Sequence, residues 1–133
     1  MQPSRRSFLV AGGLSVTAAC RRTPAPKADP DAPVRGAALA REQELLAGYE
    51  AVMTAHPPVA ERLAPLAADK AVHVAALGSP STTASTLTTV AQLRALERTT
   101  AAAHAAAAQT ASRALAPLLA SLAASSSCAA ALL

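Results

Sequence analysis

Glu42, Asp69, His73, Glu97 and His104 are the residues of this chain whose types and spacing could do chemistry. Carboxylates and imidazoles exchange protons and bind divalent cations. Asp69 and His73 stand one helical turn apart at i, i+4, and Glu97 and His104 recur at heptad spacing. On the i, i+3, i+4 seam of their segments these residues fall among apolar positions rather than opposite them. A lone buried carboxylate is costly, so several converging on one interior must be paired, hydrogen-bonded or bound to a cation. An internal hydrogen-bond network is one outcome and a metal site another. A seam displaced by one position, with these groups in solvent, is the third.

The elements that must position them are helices. The chain has 133 residues with one Tyr, one Phe and no Trp, and a core of Leu, Val and Ala favours close-packed helices over a sheet. The expected fold is all-α, an antiparallel four-helix bundle. A first helix spans residues 37–55 and stops at His56-Pro57-Pro58, because a residue before Pro is pushed out of the helical region. A second spans residues 59–77, with Pro65 either kinking it or opening its main part. After the break at Gly78-Ser79-Pro80, Ser85 or Thr86 is the expected cap of a third helix reaching about Gln109. A fourth starts near Leu115 or Pro117 and continues to the last residue; uncharged throughout, it is still only marginally apolar for a membrane span.

These segments predict the inward stripes. On the first helix they are Leu39, Glu42, Leu46, Tyr49, Met53 and His56, with Glu44 facing solvent. On the second they are Leu63, Leu66, Asp69, His73 and Leu77. Leu87, Val90, Leu93, Glu97, Thr100 and His104 form the third, and Leu115, Leu119, Leu122, Ser126, Ala129 and Leu133 the fourth.

The first residues carry a different message. Ser4-Arg5-Arg6-Ser7-Phe8-Leu9 followed by a short uncharged run has the pattern of a twin-arginine export signal, with Val10 where a Lys often stands. The apolar stretch is about half of the roughly 20 residues that span a bilayer, so residues 1–19 read as a cleavable signal peptide. Cys20, directly after Thr17-Ala18-Ala19, is placed as the lipid-attachment residue of a bacterial lipobox. Residues 20–35, rich in Pro, Ala and charge, form a lipidated tether, and residues 36–133 the helical domain. The expected location is the extracytoplasmic face of the cell membrane. If Cys20 carries lipid, Cys128 is left alone, and its expected role is a small buried filler.

At this point the chain resembles the ferritin-like domain of unknown function carried by actinobacterial twin-arginine-exported lipoproteins. The resemblance runs through Arg41-Glu42-Gln43-Glu44-Leu45-Leu46, His56-Pro57, Leu63-Ala64-Pro65-Leu66, Asp69 with His73, and Leu118-Leu119-Ala120-Ser121-Leu122-Ala123-Ala124-Ser125. Ferritin-like di-iron bundles draw one Glu from each of two helices and a Glu-x-x-His pair from each of the others. The resemblance therefore implies Glu42 and Glu97 as single carboxylates, Asp69 with His73 for one pair, and His104 as a substitute ligand, for iron, manganese or zinc. Ser126 and Ala129 stand where the fourth helix should supply its Glu and His, so the implied site is degenerate.

Other chemistry is excluded more simply. Of the formal net charge of +4, Arg5 and Arg6 belong to the signal and Arg21, Arg22, Lys27 and Arg35 to the tether; beyond Gly36 acids and bases balance. Without a basic face or stacking rings the domain is no nucleic-acid binder. Neither a Cys-x-x-Cys, a phosphate-binding glycine loop nor a Gly-x-Ser-x-Gly elbow occurs. The sequence thus favours a binding or structural module over an enzyme, with metal binding or metal oxidation as the alternative. The membrane, through the lipid, is the expected partner. Alanine helices bury little area each, which adds a homodimer or an envelope protein to the partners expected.

Overall fold

A computed structural model describes residues 27–133. Arg5, Arg6 and Cys20, on which the export and lipid expectations rest, lie outside those residues. The described chain is a four-helix bundle: α1 (Ala32–Ala55), α2 (Pro57–Leu77), α3 (Val90–Thr110) and α4 (Ala116–Leu132). Among the described residues no helix is long and apolar enough to cross a membrane.

Proline and polar caps set the helix starts. α1, α2 and α4 each carry Pro in the first two positions, where the missing N–H has no intrahelical partner to lose. α1 therefore begins at Ala32, inside the stretch expected to be spacer. Asp31 is buried just ahead of it and accepts a hydrogen bond from the Ser112 N–H at 3.1 Å, tying the entry of α1 to the α3–α4 connection. α3 starts at Val90 rather than at Ser85 or Thr86, because Thr89 and Gln92 form a capping box. Gln92 N–H donates to Thr89 Oγ1 at 3.2 Å and Thr89 N–H to Gln92 Oε1 at 3.1 Å, which satisfies two amides at the helix start. Pro65 lies within α2 on its exposed face, where water can satisfy the carbonyl that loses its partner.

Two apolar clusters form the core. One contains Leu45, Tyr49, Val52, Leu63, Ala67, Leu93 and Leu133; the other contains Ala38, Leu77, Leu115, Leu119 and Leu122. Along α1 the order is Ala38, then Glu42, then Leu45; along α2 it is Leu63 and Ala67, then Lys70, then Leu77. α3 and α4 repeat the scheme, with Glu97 and His104 following Leu93 and with Ser126 between Leu122 and Leu133. A layer of polar side chains therefore separates the two apolar clusters.

The connection between α2 and α3 runs along α1. Gln43 Nε2 donates to Ser79 O at 3.3 Å, Ser81 Oγ donates to Gln43 Oε1 at 2.9 Å, and His56 Nε2 lies 2.6 Å from Thr88 O. Between these ties Leu87 approaches Gly48 so closely that a Cβ there would stand 2.9 Å from Leu87 Cδ1. His56, expected on the inner stripe, is exposed and serves this connection instead. Cys128, expected as a buried filler, is a free, exposed thiol: the buried face of α4 runs through Leu122, Ser126, Ala129 and Ala130, and Cys128 lies off it.

Thr89→Ala removes the capping box without disturbing the core. Its expected cost is about 1 kcal/mol, read as a lower urea midpoint at unchanged slope. An unchanged midpoint would mean the box contributes nothing in solution.

Candidate functional site

The polar layer is assembled from all four helices. α1 supplies Glu42 and Tyr49, α2 supplies Lys70 and His73, α3 supplies Glu97 and His104, and α4 supplies Ser126. The two i, i+7 pairs, Glu42 with Tyr49 and Glu97 with His104, keep one face of their helices through two turns. Glu42, Glu97, His104, Ser126 and Tyr49 have no exposed surface, and Lys70 is 1% exposed.

At the centre is the Lys70 ammonium. Nζ donates to Ser126 Oγ at 2.9 Å, stands 3.1 Å from Glu97 Oε2, and lies 3.9 Å from Glu42 Oε2. Glu97 Oε2 makes no well-aligned hydrogen bond, so its short contact with Nζ is an ion pair rather than a directed bond. The other oxygen, Oε1, accepts from the Tyr49 hydroxyl at 2.7 Å. Burial and the hydrogen bond to the Glu97 carboxylate both push the Tyr49 phenol upward, so it stays protonated and donates.

Glu42 is held by two imidazoles. His104 Nε2 is 2.8 Å from Oε1 and His73 Nδ1 is 3.0 Å from Oε2. Burial alone would raise the Glu42 carboxyl, but hydrogen bonds from His104 and His73 and the charge of Lys70 outweigh it and hold the group at about 2. As His104 donates from Nε2, its Nδ1, buried without a partner, presents only a lone pair, the cheaper group to leave unpaired. Lys70 balances one of the two buried carboxylates. His73 has Glu42 on Nδ1 and Asp69 Oδ2 3.6 Å from Nε2.

Asp69 is not part of the interior. Its side chain is 53% exposed and accepts from Ser125 Oγ at 2.9 Å, so it touches the layer only through the rim of His73. The inner stripe of α2 is Leu63, Ala67, Lys70, Val74 and Leu77, displaced by one position from the expected stripe at its middle. Glu42, Glu97, His73 and His104 lie together in the layer, joined by hydrogen bonds to Glu42 and through Lys70. Lys70, Tyr49 and Ser126 complete the set, and of these Lys70 is the one that sequence reasoning passed over. Two signals could have found it: the 4-3-4-3 spacing of the actual stripe, and the need of inward carboxylates for a cation.

The set does not fit a resident metal ion. Both oxygens of Glu42 already accept imidazole N–H groups, the nitrogens facing Glu42 carry protons, and a fixed positive charge stands between the carboxylates. Among the described residues no group of three or more His, Cys, Asp or Glu side chains is arranged to hold one. Nor does the layer open onto either of two recesses at the surface. A groove of about 530 Å³ between α3 and α4 is lined largely by alanines, and an apolar recess of about 250 Å³ by Leu63, Leu66, Leu132 and Leu133 with Arg62 and Pro65; neither borders the buried charges. Chemically the arrangement links His73, Glu42 and His104 by hydrogen bonds and holds charge in place.

No family model matches the chain, and comparison with curated proteins and with solved structures finds no similar protein.

The acid dependence of stability follows from Glu42. Its carboxyl is depressed from 4.5 to about 2, so its contribution is fully present above pH 4.5 and is lost as pH falls through 2. That contribution is on the order of 3 kcal/mol. Urea unfolding across this window should show the loss in the parent and a flatter profile in Glu42→Gln. Equal slopes in both would mean that Glu42 is not ionised in the core.

Proposed function

We propose that this chain is a membrane-anchored lipoprotein of the extracytoplasmic face whose ferritin-like, antiparallel four-helix bundle serves as a binding or structural module. The observation that carries the functional half is the self-sufficiency of the polar layer. Each of its carboxylates is engaged by other side chains of the same protein, and its central charge is 1% exposed, which leaves no open position for a substrate. Function then belongs to the outer surface and to the tether. Metal oxidation would first require Lys70 to leave the place it holds.

Two features support the antiparallel, ferritin-like arrangement. The two apolar clusters follow one order along α1 and α4 and the reverse order along α2 and α3. Neighbours with reversed order run in opposite directions, and α2 and α3, sharing one order, need a long crossover. Ferritin-like bundles contain one such crossover, and the segment between Leu77 and Val90, which travels along α1, has the required course. The anchoring half of the reading rests on the twin arginines and on Cys20 after small residues.

Fractionation of cells producing the full chain tests this reading. The parent should be recovered in membranes and take up labelled fatty acid, Cys20→Ser should lose the label and leave the membrane, and Arg5→Lys with Arg6→Lys should strand the protein in the cytoplasm. Label-free parent protein in the cytosolic fraction would contradict the anchored reading.

A further inference from the structure

Buried lysines are rare unless something holds them, and here the holding groups come from every other helix. Lys70 is covalently part of α2, while its ammonium meets Glu42 of α1, Glu97 of α3 and Ser126 of α4. An ammonium has three protons, and three oxygens surround this one, two near 3 Å and the third at ion-pair distance. One positive charge thus ties four helices together, which is what an ion bound at the centre of a bundle does. We infer that the Lys70 ammonium is the resident cation of this site, tethered in the place a divalent metal ion would take between Glu42 and Glu97, and that it makes the bundle independent of metal supply.

Three consequences of the geometry support this. A tethered cation cannot be diluted away or chelated, so the counter-charge of the carboxylates does not depend on the supply of metal ions. A metal ion competing for the site would have to displace a charge that has no exit, because the stem of Lys70 is buried with its head. It would also have to strip Glu42 of its hydrogen bonds from His73 and His104, whose protonated nitrogens cannot ligate while they donate. Ser126 fits the same assignment: a hydroxyl accepts from an ammonium without adding a third negative charge to the interior. The inference holds whether or not the chain is exported, and its test does not depend on the tether.

Metal content and thermal unfolding of the full chain test it, with Zn(II), Mn(II) and anaerobic Fe(II) as probes. The parent should retain none of them after desalting, and its melting temperature should not move when they are added. Lys70→Ser leaves the two carboxylates facing each other, so it should melt well below the parent in metal-free buffer. At least one of the probes should restore it by mass action, with about one ion retained per chain. Glu42→Gln in the Lys70→Ser background should abolish that recovery. Lys70→Met with Glu97→Gln removes one charge of each sign, and should fold without metal and ignore all three ions.

Stoichiometric metal in the parent would overturn the inference. So would a Lys70→Ser chain that no probe stabilises, whether folded or not, since its carboxylates would then have no use for a cation. The proposal also falls if the charge-neutral pair is as damaged as Lys70→Ser, because Lys70 would then be needed for its shape and not for its charge.

Discussion

The interaction that most constrains the interior of the bundle is the ion pair between Lys70 and Glu97 inside the four helices, 3.1 Å long, with Glu42 on the far side of the ammonium. Removing two carboxylates and an ammonium from water costs several kcal/mol for each ion, and their attraction offsets this only where the remaining hydrogen-bonding positions are filled. The structure fills most of them, leaving Glu97 Oε2 to the ion pair alone and His104 Nδ1 unpaired. Tyr49 donates to Glu97, Ser126 accepts from Lys70, and His73 and His104 donate to Glu42. Any one of these groups removed leaves a charge or a polar atom stranded in the interior. The layer is therefore a constraint on which residues can occupy the inner face of each helix, as well as a set of attractions.

Such a constraint has a use in a protein built mostly of alanine and leucine. Helices with small, similar side chains can slide by a turn or rotate against one another at little loss of packing, so apolar burial alone specifies their alignment weakly. A lysine that must find two carboxylates and a hydroxyl on three other helices admits one alignment. The apolar clusters on either side, one around Leu45, Tyr49 and Leu93 and the other around Leu77, Leu119 and Leu122, then pack in that alignment. The α2–α3 connection adds a second tie, through Gln43 at its start and His56 at its end.

Much of this was legible in the residues, and the parts that were not have physical reasons. On α4 every expected inward position, from Leu115 to Leu133, is buried, because its leucines are spaced as a clear stripe. On α3, Leu93, Glu97, Thr100 and His104 are likewise buried as their spacing implies. On α1 the stripe is displaced, with Leu45 and Val52 inside in place of Leu46 and Met53. Consecutive apolar pairs there leave the phase ambiguous, while Glu42 and Tyr49 belong to either choice. On α2 the expected stripe through Leu66, Asp69 and His73 includes Asp69, whereas the structure exposes Asp69 and buries Lys70. Hydrophobicity misleads at that position because the energy of Lys70 is set by its partners on other helices, which no local pattern contains. The capping box at Thr89 and Gln92 is readable in the residues, but Ser85 and Thr86 offer competing cap signals just before it.

The most direct measurement uses the chemistry of the chain's two lysines, Lys27 and Lys70. Lys27 is exposed and Lys70 is buried. Treating the folded protein with an amine acylating reagent and locating the product by mass spectrometry should show Lys27 modified while Lys70 stays free, with Lys70 reacting only when denaturant opens the bundle. Acylation of Lys70 at the same rate as Lys27 in the folded protein would contradict a central, buried ammonium and the account built on it.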